Sequence, residues 1–82
     1  MRDYKKLLES GNKAQLEKLL LYKEKGEFPT DLYLLILLLK AEYGELLVEL
    51  YLKDYKAIRK EFADIANYAH MGILACDKEL EK

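Results

Sequence analysis

Apolar residues recur along this chain at spacings of three and four, the period of a helix with one buried face. Leu32, Leu35, Ile36, Leu39, Tyr43, Leu46 and Leu50 predict a helix from about Asp31 to Leu52. Ile58, Phe62, Ile65, Ala69 and Ile73 predict another, from near Tyr55 to Glu79. Between them Lys53-Asp54 is a tight break with Asp54 as the N-cap, so the two helices are expected to form an antiparallel hairpin. Upstream, a short helix over Arg2 to Glu9 is expected to end at Ser10-Gly11-Asn12. A second, from about Lys13 to Lys25, carries Leu16, Leu19 and Leu20 on one face, and Gly26 predicts its stop. Phe28, which precedes Pro29, is expected to be extended, with Thr30 an N-cap and Asp31 in the first helical turn. No segment alternates with the period of a strand. The expected fold class is all-α, an antiparallel helical hairpin plus short N-terminal helices, in a single domain over residues 1–82.

Chain size bears on how those apolar faces are covered. A chain of 82 residues buries a limited share of its surface alone. The third predicted helix also carries more leucine than a hairpin can cover. Both points predict a homo-oligomer, a dimer or tetramer built on a dimeric four-helix-bundle-type core. The net charge of -1 is not the basic excess of a protein that grips a nucleic-acid polymer. The most apolar run, Leu32 to Leu39, is far below the ~20 residues a bilayer requires, so no membrane partner is expected. Cys76 is the lone cysteine and is expected to be a buried apolar residue. With no apolar signal region after Met-Arg-Asp-Tyr-Lys-Lys, the expected location is cytoplasmic.

Candidate chemistry lies in two acidic pairs. Glu42 and Glu45 are three apart on one predicted helix, and Glu61 and Asp64 are three apart on the next. That separation puts both members of a pair on one helical face, about a turn apart. Each acid immediately precedes a residue of the apolar stripe, Tyr43, Leu46, Phe62 or Ile65, so each flanks the expected core. Antiparallel packing can bring all four carboxylates to one place, where their repulsion calls for a cation. Oxygen donors with almost no sulfur or imidazole favour Mg²⁺, with Mn²⁺ as a substitute, over zinc. The plainer reading is two solvated helix faces, since acids make up 15 of the 82 residues.

The segment Ala41-Glu42-Tyr43-Gly44-Glu45-Leu46, followed by Lys60-Glu61-Phe62-Ala63-Asp64-Ile65-Ala66-Asn67-Tyr68, resembles the MazG-like all-α nucleoside triphosphate pyrophosphohydrolases. Their pattern is E-x-x-E, a gap, then E-x-x-D; here the gap is the 15 residues from Leu46 to Lys60. The resemblance covers roughly Leu32 to Ile73. It implies that Glu42, Glu45, Glu61 and Asp64 hold Mg²⁺ on a nucleotide triphosphate, with Glu42 or Glu45 catalytic toward the attacking water. It implies hydrolysis to a nucleoside monophosphate and pyrophosphate; the alternative is a non-catalytic nucleotide-sensing or protein-interaction module that keeps the metal site. Asn67 fits a residue that some members carry three positions after the Asp, where it can bind a metal-bound water or the nucleotide. Many members have a second Glu where this chain has Ala41, and a Lys where it has Leu38.

Other residues carry lesser claims. Tyr68, one turn beyond Asp64, can stack on a base or donate to phosphate. Lys60, in the basic group Lys53, Lys56, Arg59 and Lys60, can attract a polyphosphate, though such a group is also an ordinary solvated turn. Glu49 extends the acidic row. Gly44 costs ~1 kcal/mol inside a helix, which suits close approach of a phosphate or a neighbouring helix. His70 is expected to be structural or superficial. No Gly-rich phosphate loop, Cys/His metal spacing or Ser/His/Asp arrangement is present.

Overall fold

The computed structural model describes residues 3–25 and 29–82, the last turn of the first helix (22–25) by its backbone alone. The described residues are all-helical: α1 (Tyr4–Lys25), α2 (Leu32–Tyr51) and α3 (Tyr55–Leu80). The expected links at Gly26 and Phe28, and the helix start at Arg2, lie outside them.

Local signals set most of the boundaries. Asp54 caps α3, its carboxylate accepting from the Ala57 N–H at 3.1 Å. Asp3 does the same for α1 through the Lys6 N–H at 2.9 Å. At α2 the cap is Asp31 and not Thr30: its carboxylate accepts from the Tyr33 N–H at 3.0 Å. Asp and Thr are both good caps, and the carboxylate adds a favourable charge at the positive end of the helix. Between α2 and α3 the chain reverses over residues 52–54, with Lys53 in the left-handed region at φ 56.

The expected break at Ser10-Gly11-Asn12 does not occur, and α1 runs through it as a single 22-residue helix. One Gly costs a helix only ~1 kcal/mol, less than terminating it and nucleating another. Ser10, Gly11 and Ala14 instead give α1 a slender side facing Ala63 and Ala66 of α3.

Packing is organised around α3, which contacts both α1 and α2. The buried apolar cluster is Leu35, Tyr68 and Met71, with Leu19, Leu38 and Leu39 packed against it. Low-numbered residues of α2 meet high-numbered residues of α3. Leu35 lies with Tyr68 and Met71, while Glu42 and Glu45 lie with Glu61 further along.

The expected α3 stripe is not the buried face. Ala63, Asp64, Asn67, Tyr68, Met71 and Ala75 are buried, whereas Phe62 and Ile73 are each 59% exposed and Ala69 lies open. Cys76 is likewise exposed, not buried. On α1, Leu16 and Leu20 are exposed and the contact face is Ala14, Gln15, Lys18 and Leu19. The reason is the same for both helices. Helix α1 seats on α3 through small and polar residues, which leaves the apolar stripes outward.

Candidate metal centre

The register of α2 on α3 brings three of the four expected acids together. One carboxylate oxygen each from Glu42, Glu45 and Glu61 lies within 4.8 Å of the others. Glu42 and Glu61 are half-buried and Glu45 is exposed, so the cluster opens to solvent on the Glu45 side. Glu42 Oε2 and Glu61 Oε2 are buried and accept no hydrogen bond, as is Glu49 Oε2 one turn along α2. Buried carboxylate oxygens without donors are costly, and a cation is the partner that satisfies several at once.

Electrostatics show the same tension. Desolvation raises the Glu61 carboxyl above its ordinary 4.5, the neighbouring Asp64 charge raises it further, and Lys18 opposes the rise. Glu49 is also raised, by desolvation first and then by the Glu45 and Asp54 charges.

Asp64 has a different engagement. It is buried, and its Oδ2 is 3.3 Å from Lys18 Nζ, which reaches across from α1. Lys18 thus supplies positive charge at the edge of the acidic group from within the chain. Asn67 is fully buried at 0% exposure, and its Nδ2 donates to the Gln15 backbone carbonyl at 3.1 Å while its Oδ1 has no partner. The Gln15 amide in turn donates to Nδ1 of His70, which is exposed. Glu17 and Arg59 pair at 3.7 Å on the surface of the same junction. The α1–α3 contact is therefore a polar seam.

The remaining expected residues are placed as follows. Tyr68 packs in the core with Leu35 and Met71, so its ring is not offered to a base. Lys60 is exposed beside Glu61, as are Lys53, Lys56 and Arg59. Gly44 is exposed and a Cβ built there meets no atom within 4 Å, so no helix of this chain approaches it closely.

Lys18 and Gln15 have functional contacts that the apolar pattern of α1 does not mark. They share one face of α1 with Ala14, away from Leu16 and Leu20. Comparisons with protein-family models, with curated proteins and with solved structures find no match for this chain.

Proposed function

We propose that this chain is a Mg²⁺-dependent nucleoside triphosphate pyrophosphohydrolase, with Mn²⁺ able to substitute. The observation that carries the reading is the convergence of Glu42, Glu45 and Glu61 within 4.8 Å, two of them with buried oxygens that lack donors. An all-oxygen donor set of this kind fits a hard divalent cation. Glu42, Glu45 and Glu61 would hold it, and Asp64 would join on release from Lys18. When bound, the ion would neutralise these carboxylates, hold phosphate oxygens and make a bound water more acidic.

The chain's own groups supply the remaining chemistry. Glu45 or Glu42 orients the attacking water and takes its proton. Lys60 and the exposed basic turn around it attract the polyphosphate. Asn67 and Tyr68 contribute by fixing α1 and the core against the acidic helix faces. The products are a nucleoside monophosphate and pyrophosphate, and the nucleotide substrate rests on the resemblance of the two acidic motifs to the MazG-like enzymes. The same reading pairs two chains, each with its α2–α3 hairpin, in a bundle-type core within the cytoplasm. Among the described residues no helix is long and apolar enough to cross a membrane.

Pyrophosphate release from a panel of NTPs and dNTPs with Mg²⁺ tests the activity. Release is expected from at least one nucleotide, with loss in Glu42→Gln and Glu45→Gln. No release above background from any of them at micromolar enzyme sinks the enzymatic reading. One observation favours a second reading, a non-catalytic nucleotide-sensing or interaction module. Asp64 is already neutralised by Lys18. That reading expects Mg²⁺-nucleotide binding by calorimetry with no pyrophosphate released.

A further inference from the structure

The surface of this chain is too large for its mass. A folded monomer of 9.6 kDa exposes about 5,100 Å² by the usual scaling, and this one exposes 6864 Å². The radius of gyration, 14.0 Å, likewise exceeds the roughly 12 Å expected for the length. The excess of about 1,700 Å² falls within the roughly 1,000–2,500 Å² that each partner buries in an obligate dimer.

Exposed apolar side chains occur on all three helices, and one set of them flanks a groove between α2 and α3. On α2, Leu32, Ile36 and Tyr43 lie open, Ile36 at 62%, with Leu39 and Leu46 half-buried beside them. On α3, Phe62, Ala69, Ile73 and Cys76 lie open, with Ile58 and Ile65 half-buried beside them. These are two adjacent rows, because a groove of about 380 Å³ is lined from both sides, by Leu32, Ile36 and Leu39 and by Ala69, Gly72 and Ile73. Asp77 is the one charged residue that lines the groove. A helix pair that shows a mostly apolar double row of this breadth to water is suited to be half of a core.

We infer that the α2–α3 face carrying Ile36, Tyr43, Ala69 and Ile73 is the seat of a second copy of this chain, which covers the two apolar rows with its own. A second copy fits for two reasons on this surface. The face offers both the ridge residues Ile36 and Ile73 and the groove between them, which is what a self-complementary two-fold contact requires. It also carries little charge, Asp77 being the one charged residue that lines the groove, so apposing it to itself brings little like charge together. The inference specifies the interface of the paired assembly in the proposed function, and it rests on that pairing but not on metal or turnover.

Sedimentation equilibrium of the full chain tests it. A dimer is expected at micromolar concentration, converted to monomer by the double variant Ile36→Glu/Ile73→Glu. The control Leu37→Glu/Val48→Glu, on the side of α2 turned away, is expected to remain dimeric. A wild-type chain that stays monomeric overturns both the pairing and the interface. A dimer broken only by the control variant overturns the interface alone.

If the first double variant does not fold by circular dichroism, the wild-type Cys76 thiol decides. Its maleimide reaction is expected to be at least tenfold slower at dimeric than at monomeric dilution. Equal rates at the two concentrations overturn the interface.

Discussion

Asp64 and Glu61 lie one turn apart on α3 but carry different burdens. Asp64 has Lys18 at 3.3 Å, while Glu61 has a buried oxygen with no donor and a carboxyl raised above 4.5. A carboxyl raised in the folded state binds more protons there than in the unfolded chain. Its effect is therefore a loss of stability as pH rises from the unfolded value through the folded one. Without divalent cation, wild-type stability is expected to fall as pH climbs above 4.5, and Glu61→Gln to flatten that fall. Urea denaturation at a series of pH values measures it; an unchanged slope in the variant would remove Glu61 as the source. Lys18 presents the complementary case. If it competes with a cation for Asp64, Lys18→Met is expected to tighten Mn²⁺ binding by about tenfold by titration calorimetry. Weaker binding in that variant would show Lys18 to be a support of the site and not a competitor.

At the scale of elements, capping residues were the most legible part of the sequence. Asp54 marked the start of α3 at Tyr55, and the run of α2 was read to within a residue at each end. Side-chain oxygens that accept from an N–H two or three residues away are local, so local sequence reports them. The expected break at Ser10-Gly11-Asn12 is absent because each residue there is only weakly unfavourable in a helix. Gly11 now lies inside α1, and a Cβ there meets nothing within 4 Å. Gly11→Ala is therefore expected to stabilise the chain by about 1 kcal/mol, read as a raised denaturation midpoint with an unchanged slope. A lower midpoint would mean that α1 needs the slender side to rest on α3. The acidic site was legible in part for the same reason of distance. Spacing within α2 and α3 found Glu42, Glu45 and Glu61, whereas the engagement of Asp64 depends on Lys18, 46 positions earlier.

Across the whole molecule, the apolar pattern foretold which residues need cover but not where the cover comes from. The stripe of Ile58, Phe62, Ile65, Ala69 and Ile73 reads as a core-facing row, and in one chain Phe62, Ala69 and Ile73 face outward while Ile58 and Ile65 are half-buried. Periodicity identifies a face that must leave water, and it is silent on whether a helix of the same chain or of another does the covering. The apolar core among the described residues is correspondingly small: of the six buried hydrophobic residues there, three are alanines. Global stability is then expected to follow protein concentration, as in any fold whose core is completed by association.

The buried Asn67 also governs how α1 lies along α3. Few large apolar side chains meet at that junction, so little in its packing distinguishes one alignment from another a turn away. The bond from Asn67 to the Gln15 carbonyl does distinguish them, because a slide of one turn would strand a second polar atom of Asn67 without a partner. A single polar residue in a helical interface can select one alignment at a cost in stability. Here it acts as a detent. The helix that carries Lys18 to the acidic group is held at one notch, and the distance from Lys18 to Asp64 is a consequence of that notch.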